Sequence, residues 1–220
     1  MLWDGVQVTI SVALSAMALA LVCGLFGAWA KLSSNKIAHT AANTYTTVIR
    51  GVPELILILI VYYGTPTLIQ DSLESFGIDI ILDINPFLAG FMTLGVIYGA
   101  FATEVFRGAY NAVPKGQIDA AKAIGMSRML LARRILLPQM WRFALPGLGN
   151  VWMVLIKATA LISVIQLPEL LRNSDIAARA LRMPFTFYFA ASLYYLAIVS
   201  VSMLLQKRAE AWAARGVRRA

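Results

Sequence analysis

Charge is scarce in this chain. Only 14% of its 220 residues are Asp, Glu, Lys or Arg, against 60% hydrophobic residues, whereas a soluble domain carries about 45–50% apolar residues. That balance excludes an ordinary water-soluble domain and indicates a protein of the membrane. Cysteine and histidine are scarcer still. The single Cys23 lies in an apolar run and can build neither a disulfide framework nor a metal site, so it reads as a small packing residue. His39 has no cysteine or second histidine with which to share a metal. No Gly-x-x-x-x-Gly-Lys-Ser/Thr loop, His-Glu-x-x-His or Gly-x-Ser-x-Gly pattern occurs. The chain therefore has no recognisable site for nucleoside triphosphate, no catalytic constellation and no call for a cofactor. Any energy input comes from a partner.

What the chain does have is long apolar runs. Gly5 to Ala30 is uncharged and exceeds the roughly 20 residues that cross a hydrocarbon core. Its first basic residue, Lys31, follows the run instead of preceding it, which marks a retained span and not a signal peptide. A second span, about Ile37 to Ile69, is interrupted at Arg50-Gly51-Val52-Pro53-Glu54. Glycine and proline both disfavour continuous helix, so a broken helix is predicted there. Further spans are expected from Pro86 to about Ala109, from Trp141 to Gln166 and from Met183 to Gln206. In the third, Gly95 and Gly99 are spaced to bring one face close to a neighbour.

The net charge of +8 is distributed between these spans and not along a soluble stripe, which argues for topology and against nucleic acid. Lys31 and Lys36, then Arg107, Lys115, Lys122, Arg128, Arg133, Arg134 and Arg142, then Lys207, Arg208, Arg215, Arg218 and Arg219 mark three inside-facing regions. The loop with Asp71, Glu74, Asp79 and Asp83 falls outside, as does a mixed segment around Glu169, Arg172, Asp175, Arg179 and Arg182. The expected architecture is one all-α membrane domain, residues 1–220, with five transmembrane helices, an outside amino terminus and an inside carboxyl terminus.

The inside segment Tyr110 to Gln139, expected to be a long loop, carries a short small-faced helix. Pro114 suits its start, Ala120 and Ala121 let another surface approach the backbone, Gly125 suits a left-handed cap, and Ser127 suits the start of the next helix. The pattern fits a docking element or a plain amphipathic loop helix.

Ionisable residues at membrane depth are the other clue, since each costs about 2.5–3.5 kcal/mol on insertion scales and needs a partner or a cavity. Glu54 follows Pro53 in the first turn of a half-helix, where it either caps that helix or receives a cationic substrate group in a midplane cavity with Thr47, Tyr62 and Tyr63. Glu104 and Arg107 are three apart, which allows an ion pair, with substrate contact or gating by Glu104 as the alternative. Lys157 lies deep in the fourth span, to neutralise a carboxylate of the second or third span or to snorkel to an interface.

With these residues on the page, the chain resembles the permease subunits of ATP-binding-cassette (ABC) importers for polar amino acids, particularly the Q-type subunit of histidine/lysine/arginine/ornithine and opine (octopine, nopaline) systems. Asp119-Ala120-Ala121 with Gly125 is similar to that family's Glu-Ala-Ala loop, and Arg50-Gly51-Val52-Pro53 to its Arg-Gly-Thr-Pro signature. Thr103 to Gly108, Val113 to Gln117 and Leu145 to Asn150 look like three further signatures. The resemblance implies the type I importer permease fold in a bacterial inner membrane, with Lys115 to Ile124 as a cytoplasmic coupling helix. Lys115, Gly116, Gln117, Asp119, Ala120, Ala121 and Gly125 would then engage a separate dimeric ATPase. It also implies a second permease, a periplasmic solute-binding protein, lipid surroundings, and an amino acid carried inward by alternating access.

Departures from the family matter. Asp119 stands for the usual Glu, and Lys157-Ala158-Thr159-Ala160-Leu161 lacks the Asp and Ser of the family's Lys-Asp-Thr-Ser-Leu. That poorer polar lining suits a heterodimer. Glu54, where many relatives are apolar, is similar to members that import basic amino acids; it is the leading candidate for substrate recognition, with Tyr98 and Glu104 behind it. A permease for neutral or acidic amino acids, and from another class a membrane scaffold or passive channel, are the alternatives. With Cys23→Ala as background, Lys122→Cys is expected to react with an impermeant maleimide only from the cytoplasmic side; labelling from outside refutes the inside placement of the docking helix.

Overall fold

The computed structural model describes residues 1–80 and 82–214, so Arg215, Arg218 and Arg219 of the basic tail lie outside the described residues. Helix α1, Leu2–Leu32, is the first span. It is followed by α2 (Lys36–Gly51), whose start is capped by the Asn35 side chain, accepting from the amides of Ile37 and Ala38. Helix α2 ends at Val52 and Pro53, which are extended, with ψ of 137° and 133°. The chain re-enters helix at once as α3 (Glu54–Leu59), a π-helical turn (Ile60–Gly64) and α4 (Thr65–Glu74). The predicted break is therefore present, but the apolar span is Glu54–Glu74. The expected second span, Ile37 to Ile69, is corrected: its polar first half is a separate helix.

Helix α5 (Pro86–Asn111) sits centrally, buried along most of its length. After the short α6 (Lys115–Ala123), helix resumes at α7 (Arg128–Leu131) and runs through a π-helical turn (Ala132–Leu136), α8 (Leu137–Ala158) and a 3₁₀ segment (Thr159–Ile165). The stretch Arg128–Ile165 is thus one long element. The expected inside loop up to Gln139 is shorter than its sequence suggested, because Arg133 and Arg134 sit on helix and do not break it. Helix α9 (Leu170–Leu181), not foreseen in the mixed segment, and the last span α10 (Pro184–Ala213) complete the fold. No strand occurs among the described residues.

Helices α1 and α5 approach through small residues. A Cβ built at Gly24 would stand 2.6 Å from the Cβ of Ala102, one at Gly95 2.7 Å from the Leu19 side chain, and one at Gly99 2.6 Å from the Cβ of Cys23 and 2.9 Å from the Tyr45 hydroxyl. The spacing of Gly95 and Gly99 does what it foretold, and Cys23 packs in that seam. Its neighbour across α2, Tyr45, donates its hydroxyl to the carbonyl of Val96 at 2.5 Å. The same contacts fix how α5 and α8 run against each other: Gly90 faces Ile162 and Gly147 faces Val105.

Overpacking such a contact costs about 1–3 kcal/mol. Gly99→Val is expected to lower the thermal unfolding midpoint of the detergent-solubilised protein by several degrees, whereas Gly108→Ala, which meets nothing within 4 Å, is expected to leave it unchanged; equal effects would show that the seam does not hold the helices together.

Candidate translocation site and coupling helix

Irregular backbone at membrane depth survives only where protein or a water-filled cavity receives its freed polar groups. Two such stretches meet here. The α2–α3 break with its following π-turn lies against the 3₁₀ segment, where the Tyr63 hydroxyl donates to the carbonyl of Val164 at 3.5 Å. Of the residues expected to line a cavity, Thr47 and Tyr63 are exposed, while Tyr62 packs on the main core.

Glu54 and Tyr98, separated by 44 positions, are brought together. The Tyr98 hydroxyl donates to Glu54 Oε1 at 2.9 Å. Tyr98 is the midpoint of the 26-residue α5 and is 1% exposed, so this carboxylate sits near half depth. Its second oxygen, Oε2, has no hydrogen-bond partner among the described residues. The Tyr98 ring stacks on Phe101, with centroids 5.6 Å apart, and the Arg50 guanidinium lies 5.1 Å from the Phe101 centroid. Between α2, α3, the π-turn and α5 a cavity of 250 Å³ is lined by Ile49, Leu57, Val61, Thr93 and Ile97 among others. The buried Thr93 Oγ1 has no partner among the described residues.

Glu104 is placed elsewhere, six positions or about 9 Å along α5 from Tyr98. It forms the foreseen pair with Arg107, whose Nη2 and Nε both donate to Oε2, at 2.8 and 2.9 Å. Lys31 Nζ reaches Oε1 at 2.5 Å with its side chain only 8% exposed. Sequence reasoning missed Lys31, since nothing local links positions 73 apart. Lys157 is a correction: it pairs with no carboxylate of the second or third span among the described residues. It is exposed on α8, and the α5–α8 register sets it level with Gly95, about one turn from Tyr98.

The helix and caps expected between Pro114 and Ser127 are present. Pro114 is the N-cap of α6, one position earlier than the first helical turn. Gly125 has φ +76°, its amide donates to Lys122 O, and the Met126 amide donates to Ala121 O, the paired bonds of a Schellman cap. Ser127 caps α7 through Leu130 N at 3.4 Å. Ala121 is buried toward the body, while Lys115, Gly116, Gln117, Asp119 and Ala120 are exposed beside Ile124 and Met129, which are 74% and 82% exposed. Asp119 pairs with Lys122 at 3.7 Å, and Gln139 at the foot of α8 donates to Gln117 at 2.6 Å.

Glu169, passed over in the sequence as one charge among several, is a buried N-cap. Its carboxylate accepts from the amides of Leu171 and Arg172 at 2.8 and 2.7 Å and from the Tyr195 hydroxyl at 3.1 Å, tying α9 to α10. Its place just before a helical run was the available signal.

The model of the family described as "Binding-protein-dependent transport system inner membrane component" matches residues 20–215. The chain belongs to that family. It is 46% identical over 209 residues to the histidine/lysine/arginine/ornithine transport system permease protein HisQ of Salmonella typhimurium, covering 93% of this chain and 91% of the relative. To the octopine transport system permease protein OccQ of Rhizobium radiobacter it is 44% identical over 211 residues, covering 96% and 89%. The crystal structure of an amino acid ABC transporter with histidines superposes with a TM-score of 0.82 at 31% identity, over 95% of this chain and 92% of that one. The inward-facing MetNI methionine transporter, at 18% identity and a TM-score of 0.77 over 97% and 96%, shows the fold alone. The chain is a permease component of an importer, an inner-membrane protein with five candidate spans.

Burial pushes the Glu169 carboxyl up from its ordinary value of about 4.5, against the amides and hydroxyl that favour its charged form. A proton held more tightly in the folded state stabilises fully below that ordinary value, and the contribution is lost as pH rises through the raised one. Glu169→Gln is expected to flatten this part of the thermal stability profile above pH 4.5; an unchanged profile overturns the assignment.

Proposed function

We propose that the chain is the permease subunit through which a basic amino acid, or an opine derived from one, enters the cytoplasm by alternating access. ATP is hydrolysed by a separate dimeric ATPase seated on α6, a sister permease completes the pore, and a periplasmic binding protein delivers the cargo. The amino terminus is periplasmic and the carboxyl terminus cytoplasmic, in keeping with the basic residues between spans. The exposed α6, with Lys115 and Lys122 on it, the exposed Ile124 and Met129 just after it and Gln139 bracing it, suits insertion into a cleft of such an engine.

One observation carries the choice of cargo: a carboxylate at half depth, satisfied on one oxygen by Tyr98 and open on the other. An ammonium or guanidinium arriving there gains a charge-assisted hydrogen bond and offsets the cost of the intramembrane acid. The names of relatives that carry histidine, lysine, arginine and ornithine, or octopine, agree with it. Tyr98 orients the carboxylate, while Glu104, held by Lys31 and Arg107, braces the α1 and α5 ends beside the coupling segment.

A hydrogen bond to a charged group contributes about 1.5–3 kcal/mol, so Glu54→Gln is expected to raise the apparent Km for arginine and lysine uptake by about tenfold or more in proteoliposomes containing the full importer. Unchanged affinity for basic substrates removes Glu54 from recognition and reopens the neutral-cargo reading.

A further inference from the structure

Arg50 and Glu54 are four residues apart, a spacing at which Arg and Glu on a continuous helix neutralise each other. Here they do not pair. The extended residues Val52 and Pro53 separate the end of α2 from the start of α3, and no ion pair among the described residues joins the two side chains. Each is held instead from α5. Tyr98 takes one oxygen of Glu54, and Phe101, stacked on Tyr98, lies under the Arg50 guanidinium. A cation held over an aromatic ring is attracted by the ring's quadrupole and gives up none of its N–H donors to an anion of the chain. Arg50 is exposed, and among the described residues those donors have no acceptor.

A cation and an anion kept unpaired on the two sides of one helix break, and bridged by two aromatic rings, form a receptor with two poles. We infer that Arg50 is the specificity-determining residue for the substrate's α-carboxylate, binding it bidentately while the side-chain cation lies at Glu54. This rests on the Glu54 reading for the second pole only. The Arg50 pole concerns a group that every α-amino acid carries, and stands if the cargo is neutral. Loss of a matched hydrogen-bond partner penalises an analogue that lacks the group far more than a change in apolar bulk does. The proposed site therefore rejects decarboxylated analogues, which share the side chain of the amino acid and lack the carboxylate.

The test is equilibrium binding to the assembled importer in nanodiscs, without the binding protein, using two pairs of ligands that differ only in the carboxylate: L-arginine with agmatine, and L-glutamine with 4-aminobutanamide. In the wild type the amino acid is expected to bind at least tenfold tighter than its amine. Arg50→Gln is expected to reduce that preference to under threefold by weakening the amino acid alone, and Arg50→Lys to leave an intermediate preference. Unchanged amine affinity in Arg50→Gln reports an intact site. Equal weakening of both members, a preference that survives Arg50→Gln or disappears only with Lys157→Gln, or a wild type without preference in either pair, each overturns the inference. Preference confined to the glutamine pair, abolished by Arg50→Gln, overturns the cationic reading of Glu54 and supports Arg50.

Discussion

Between α1 and α5 the backbones come so near that a single added carbon at Gly24, Gly95 or Gly99 would overlap its neighbour. The position of α5 follows from that contact, and α5 in turn holds the groups that meet the helix break and the end of α1. Tyr98 and Phe101 steady the two charges at the helix break, Glu104 gathers Lys31, and Gly90 and Val105 set the level of α8. Van der Waals packing of small residues is what drives helix association where lipid tails remove the ordinary hydrophobic incentive.

Three ionisable groups at membrane depth meet three different fates. Glu104 is compensated twice within the chain, by Lys31 and Arg107. Glu54 is compensated by a neutral hydroxyl on one oxygen, and Lys157 by nothing among the described residues. The gradient separates structural from available charge: a fully paired acid braces, whereas an acid with an open oxygen awaits something else. Near Glu54 the chain also leaves Thr93 Oγ1 unbonded beside a cavity, a further polar group that the isolated subunit does not satisfy.

Much of this was legible in sequence. Five apolar runs gave five spans, Gly51 and Pro53 marked the break, Gly125 and Ser127 marked cap and restart, and Gly95 and Gly99 marked the close seam. These signals are local, resting on hydropathy or on backbone preference. What escaped was long-range or graded. Lys31 meets Glu104, and Arg50 meets Phe101, only once α1, α2 and α5 are assembled. Helix α9 hid in a polar segment whose caps are Glu169, buried by partners on other helices, and Arg182 at φ 55°, where glycine would have announced the end. That the helix beginning at Arg128 runs on into the fourth span was obscured because Arg133 and Arg134 suggest a loop in a membrane chain, yet arginine has good helix propensity.

The element from Arg128 to Ile165 has a mechanical meaning. It is 38 residues long and extends for about 55 Å at the rise of a helix. About a third of the way along, Gln139 clips it to Gln117 of α6, and its far end, Val164, touches Tyr63 about 38 Å further on at the rise of a helix. Over that arm a tilt of about 5° at Gln139 swings the tip by about 3 Å, enough to part a tyrosine from the carbonyl it grips. A small displacement of α6 is thereby carried to the contact that Tyr63 makes at the far end of the element.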